Sequence, residues 1–262
     1  MLFDLHLAAL VLYGLSAALT LAPFLGLPPV SRGWTLGVAG LGAGLHAVGV
    51  SQLTLVGLAP AFSMLALFLV LLQIGSELLL RAATVALFTA PLAGGLVGFA
   101  LVVGLAPGAE VPASGNPWSI LHKALSELGL AMLALAFVAA GLYLLQFRAL
   151  KTKRFGQIFQ LFPPLERMDR LNHVSLALGF PAVTFGVLVG YGMRYAKGIP
   201  VDPAQVVWGT FTWAVLGWAV WARVVRHWAG RRAAFASIAG FAAVVVVYIA
   251  LKLAQPGTGR FL

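Results

Sequence analysis

Five histidines and a few isolated acids are the residues in this chain best suited to chemistry, and most of them stand inside apolar stretches, where an ionisable group is costly. His46, in LGAGLHAVGVSQ, lies roughly 18 Å along the second apolar run from its basic end, at about 1.5 Å per residue. A neutral imidazole at that depth needs a hydrogen-bond partner, and Ser51, Gln52, Gln73, Ser76 and Glu77 on the neighbouring runs are candidates. It is equally a common metal ligand, so packing and ligation both stand. His122 opens the fifth run in WSILHKALSELGLA, either as an interfacial polar residue capped by the loop before it or as a ligand. Glu127, further into the same run, is a buried acid with a partner or a pore-facing group. His6 lies near the start of the first run, while His173 and His227 lie at ends where solvent can reach them.

Other chemistries are excluded. The chain has no cysteine, so it forms no disulfide, thiolate ligand or thioether attachment, and redox or metal chemistry must use His, Met or a bound cofactor. There is no P-loop, no Rossmann glycine fingerprint and no HExxH pair.

The elements that must position these residues are membrane spans. Of 262 residues, 61% are hydrophobic and 9% charged, and the mean hydropathy is +0.98, which defines an integral membrane protein. Eight runs are long enough to cross a bilayer: 3–25, 34–55, 59–80, 83–106, 119–147, 172–193, 205–225 and 233–254. The expectation is one all-α, polytopic bundle forming a single domain over 1–262. The first run lacks a basic leader and a cleavage site, so it is expected to be a retained helix. Glycines at 37, 40, 42, 44 and 49, and at 94, 95 and 98, suit close helix packing.

The basic residues set the orientation. With both termini outside, the inner loops hold 12 Lys and Arg and the outer face holds Lys123, Arg194, Lys197, Lys252 and Arg260, out of 17 in all. The net charge of +10 therefore serves topology and anionic lipid, and no nucleic acid is expected. Segment 148–171, RALKTKRFGQIFQLFPPLERMDRL, mixes aromatics with cations. It is expected to lie on the inner leaflet as an amphipathic helix broken at Pro163-Pro164, followed by a short turn before the sixth span. No internal repeat supports an inverted-repeat transporter.

The order of motifs resembles the CcsA/HemX-like cytochrome c assembly family. A mid-membrane histidine in LHAVGV is followed by LHKALSELGLAMLALAFVAAGLYLLQFRALKTK, then by PPLERMDRLNHVSLALGFPAVTFGVLVG, and finally by DPAQ with TWAVLGWAVWARVVRHWAGRRAAFASIAGF. The resemblance is strongest from about residue 120 to 242. It implies a membrane protein of the bacterial inner membrane that binds or delivers haem in cytochrome c biogenesis or haem traffic; the departures described below weigh against an independent synthetase. It further implies His46 and His122 as candidate iron ligands of a non-covalent, b-type haem, and a cofactor-binding set of Asp202, Arg194 and Trp208. The implied partners are cytochrome c maturation components or a haem-synthesis enzyme, besides the lipid bilayer.

The chain also departs from that family. Only Tyr191 and Tyr195 are aromatic in the loop before Asp202-Pro203, Trp221-Ala222-Arg223 stands where a second membrane histidine is found, and Tyr248 and Lys252 occupy the last outer-face histidine's region. These departures suit the shorter HemX-like branch. The alternative is a regulatory or scaffolding protein that holds a tetrapyrrole-synthesis enzyme through its cytoplasmic face. Trp208, Trp213, Trp218 and Trp221, spaced at five, five and three, are expected to pack or face lipid.

Overall fold

The computed structural model describes residues 1–53, 55, 57–105, 117–153, 162–198 and 202–254. Each apolar run forms a helix: α1 Leu2–Leu21, α2 Arg32–Ser51, α3 Leu58–Leu80, α4 Ala86–Val103, α5 Pro117–Lys151, α6 Leu165–Lys197, α7 Pro203–Val224 and α8 Gly230–Ala254. Short 3-10 turns extend α1 over Ala22–Leu25 and precede α4 over Ala83–Val85. Among the described residues, seven helices are long and apolar enough to cross a membrane. The remaining one, α7, has 22 residues and carries four of the seven tryptophans, whose indole N–H lowers its apolarity without shortening it.

The helices pack as two closed four-helix circuits. In the first, α1 touches α2 and α4, and α3 touches α2 and α4; in the second, α5 touches α6 and α8, and α7 touches α6 and α8. The two circuits meet chiefly along α3 and α5. Successive helices run antiparallel, so the outward starts of α1, α3, α5 and α7 share a face with the ends of α2, α4, α6 and α8. That face is called outer here, after the distribution of basic residues.

Small residues decide how close the helices come. On α2 the buried stripe is Ala39, Gly42, Ala43, His46 and Gly49. A β-carbon on Gly42 would stand 3.0 Å from the Tyr13 ring, and one on Gly49 would stand 2.8 Å from His6. The α5–α6 pair is a ladder in which one partner is small or slender at every rung. Ser119 meets Met193, His122 meets Gly190, Ser126 meets Gly186, Gly129 meets Val183 and Met132 meets Gly179. The numbers fall on α6 as they rise on α5, as antiparallel helices in fixed register require.

Two expectations change. Residues 148–151 continue α5, and α6 begins directly after Pro164 and runs unbroken for 33 residues, so there is no separate turn before the sixth span. Pro164 is the N-cap, a position that needs no helical N–H donor and so suits proline, and Met168 and Leu171 are buried as soon as the helix starts. The centre of the expected amphipathic helix, 154–161, lies outside the described residues, as does most of the 107–118 loop.

Candidate functional site

Two histidine sites emerge, one in each circuit. In the first, His46 is fully buried, with Tyr13 and Ser63 among its neighbours also at 0% exposure. Its Nδ1 lies 3.0 Å from the Tyr13 hydroxyl and its Nε2 2.9 Å from Ser63 Oγ. The same serine oxygen is 2.9 Å from His6 Nε2, and His6 Nδ1 is 2.9 Å from the Leu2 carbonyl. With neutral rings, one proton arrangement satisfies all four contacts. The Leu2 carbonyl can only accept, so His6 Nδ1–H donates to it. Ser63 O–H then donates to His6 Nε2, His46 Nε2–H to Ser63 Oγ, and Tyr13 O–H to His46 Nδ1. The imidazole centroids are 5.1 Å apart and nearly perpendicular.

None of the partners expected for His46 serves it. Ser51 donates to Val48, Ser76 to the Gln73 carbonyl, Gln73 accepts from Thr89, and Glu77 faces Arg32 at 3.5 Å. The reason is depth. His46 lies five residues before the outer end of α2 and Ser63 five after the outer start of α3, whereas Gln73, Ser76 and Glu77 lie about three to four turns deeper. Antiparallel helices bring equal depths together, and that rule would have found both Ser63 and His6. In this conformation no nitrogen of His46 is open to a metal.

The second site is on the outer face. His122 Nδ1–H donates to the Gly186 carbonyl at 2.6 Å, and the ring packs against Gly190, where a β-carbon would come within 2.5 Å of it. Fixing Nδ1 as the donor leaves the Nε2 lone pair with no hydrogen bond among the described residues. A ligating histidine takes this arrangement, one nitrogen held by a carbonyl and the other presented. Arg194 and Lys123 are close enough to act on the ring electrostatically. Lys123 is held by the Leu55 carbonyl, and Arg194 donates to Gln205 Oε1 at 2.7 Å. Trp118, one turn before His122 on the same face, is 60% exposed, and Tyr191 and Tyr195 are also exposed.

The other expected residues have defined places. Asp202 caps α7, its carboxylate accepting from Ala204 N at 2.9 Å, with Pro203 in the first turn. Trp208 turns inward, donating to the Val244 carbonyl at 3.3 Å and packing on Tyr248. Trp213, Trp218 and Trp221 are partly exposed, with Trp213 donating to Thr184 and Trp218 packing edge-on against Trp228. His46 and His122 are not brought together: the first belongs to α1–α3, the second to α5–α6. Among the described residues, no group of three or more His, Asp and Glu is placed to hold a metal ion.

A third constellation lies on the inner face and was not anticipated. Arg223 grips Asp169 with both Nη atoms at 3.0 and 2.9 Å, and also donates to Asn172 Oδ1 at 2.5 Å. Asp169 accepts from Gly230 N at 2.9 Å at the start of α8, and Asn172 donates to the Ala136 carbonyl and to Ser237, both at 2.8 Å. The PPLERMDRLN and WARVVRHWAGRR blocks thus meet in one pin that joins α5, α6, α7 and α8.

The fold and sites define a polytopic helical membrane protein with a histidine presented on its outer face. The family model for "cytochrome C assembly protein" matches residues 55–258, and the chain belongs to that family. Among curated relatives, the cytochrome c biogenesis protein CcsA of Guillardia theta is 27% identical over 174 residues, covering 56% of this chain and 54% of that protein. CcsA of Microcystis aeruginosa is 26% identical over 230 residues, 68% of this chain and 69% of the relative. CcsA of Synechococcus elongatus is 34% identical over 107 residues, 38% and 33% respectively. The chain spans about half the length of the Guillardia relative. His122, Arg194, Asp202 and Trp208 fall inside the family match, and His6 and His46 fall before it.

Proposed function

We propose that this chain binds haem at the outer face of a bacterial inner membrane and delivers it in cytochrome c biogenesis or haem traffic, with His122 as an axial ligand. The observation that carries this reading is the state of His122: Nδ1–H committed to Gly186, Nε2 without a hydrogen bond among the described residues, and the ring seated on a glycine. Membership of the cytochrome c assembly family supports it. The exposed rings of Trp118, Tyr191 and Tyr195 offer aromatic faces for a porphyrin, and Arg194 offers a cation for a propionate. Asp202 and Gln205 serve indirectly, the first by starting α7 and the second by accepting from Arg194.

With no cysteine in the chain, the haem would be held non-covalently, as a b-type group. When bound, haem supplies an iron whose ligation and potential the protein tunes. What the chain's own residues do is hold one nitrogen ready, orient it through Gly186, and place a cation beside it. His46 would join as a ligand only on release of Ser63 or Tyr13. Partners in this reading are cytochrome c maturation components or a haem-synthesis enzyme, and the bilayer.

The test is the absorption spectrum of the detergent-purified protein, as isolated and after dithionite. A Soret band is expected in the wild type and a strongly reduced one in His122→Ala. A wild-type protein that neither carries haem nor takes up added haemin would overturn the reading.

A further inference from the structure

A cavity of about 340 Å³ lies between the two circuits in the outer half of the bundle, lined from α3, α4, α5, α7 and α8. Its walls are almost wholly apolar, with the rings of Phe62, Trp208, Phe241 and Tyr248 prominent. The acid among them is Glu127, 8% exposed, whose carboxyl makes no hydrogen bond or ion pair among the described residues. Leu92, Val245 and Ile249 line the cavity and are also exposed on the lipid-facing surface, so the cavity opens sideways toward the bilayer.

We infer that this cavity is a lateral-entry binding site for a lipid-soluble phenol: an aromatic ring with a hydrogen-bond-donating hydroxyl and an apolar tail. Each part answers a feature of the cavity. The flat ring matches four aromatic side chains, which favour offset or edge-on partners. The hydroxyl answers a buried carboxyl that can accept and that, among the described residues, is hydrogen-bonded to none; the Tyr248 phenol shares the wall and feels its charge without bonding it. The tail answers the opening between α4 and α8. Among the described residues no cation lines the walls, so a phospholipid phosphate would enter unpaired beside Glu127. Haem is excluded on the same ground, because its propionates would face that carboxyl and, among the described residues, no imidazole lines the cavity. The volume falls within the range of small-molecule sites.

The experiment compares 4-dodecylphenol with its methyl ether, 4-dodecylanisole, which has the same body without the donor. Binding of each to the solubilised full-length protein is measured by native mass spectrometry, with no haem added, so the outcome is independent of the haem reading. The phenol is expected to bind about tenfold or more tightly than the ether, as befits a buried hydrogen bond to a carboxyl. Glu127→Leu is expected to bring the phenol down to the ether while leaving ether binding intact, which shows that the cavity survives. Leu92→Trp at the mouth is expected to lose both probes without changing elution on size exclusion, and it decides the matter if Glu127→Leu does not fold. Equal binding of the two probes to the wild type, an undiminished preference in Glu127→Leu, or wild-type binding in Leu92→Trp would overturn the assignment.

Discussion

His46 and His122 look alike in the sequence and do opposite things in the fold. Both rings are pinned at Nδ1, but His46 accepts there and donates from Nε2 to Ser63, whereas His122 donates at Nδ1 and has no hydrogen bond at Nε2 among the described residues. This difference yields two predictions. Ser63→Ala leaves two buried imidazole nitrogens without a partner and Tyr13→Phe leaves one. Each orphaned group costs about 1–3 kcal/mol, so thermal unfolding should show the serine change to be the more destabilising. Gly190→Ala pushes a methyl into the His122 ring and should lower haem content in the absorption spectrum while helicity is kept. Gly192→Ala, with nothing within 4 Å of its added β-carbon, should leave haem content unchanged.

At the scale of elements, the α6–α7–α8 pin is the feature with the largest expected energy. Arg223 has a side chain only 6% exposed and holds Asp169 through two nitrogens, so removing it strands a carboxylate that also caps α8. Arg223→Ala should cost about 3–5 kcal/mol, measured as the shift in a denaturant or thermal midpoint. Arg223→Lys should recover little, because an ammonium cannot reproduce the two-pronged grip. The helices themselves were legible in the sequence, since length and apolarity alone place seven of the eight to within about four residues, while α6 starts at Leu165 rather than at 172. What periodicity did not give is register. The partners of His46 were sought among Gln73, Ser76 and Glu77, and the serine at matching depth was overlooked. The Asp169–Arg223 pair was equally invisible, because 54 residues separate its members and each alone looks like an interfacial charge. Glu127 was noticed as a costly acid, but only packing shows that the space beside it is apolar and open toward lipid.

For the whole molecule, the two circuits share one membrane orientation, set by the excess of Lys and Arg on the inner loops. A chain without cysteine makes this easy to check, since each introduced thiol is unique. In intact cells, Tyr195→Cys, 82% exposed on the outer face, should react with a membrane-impermeant maleimide, and Lys153→Cys should react only after permeabilisation. The opposite pattern would place His122 on the cytoplasmic side and remove the outer-face reading. Orientation, register and the small-residue ladder between α5 and α6 converge on a single nitrogen atom. The most direct measurement is therefore chemical rescue: haem uptake and the low-temperature EPR spectrum of purified His122→Gly, with and without added imidazole. Loss of the wild-type signal in the variant and its return with imidazole is the predicted result. A variant that keeps the wild-type spectrum without imidazole would contradict the assignment of His122 as the ligand.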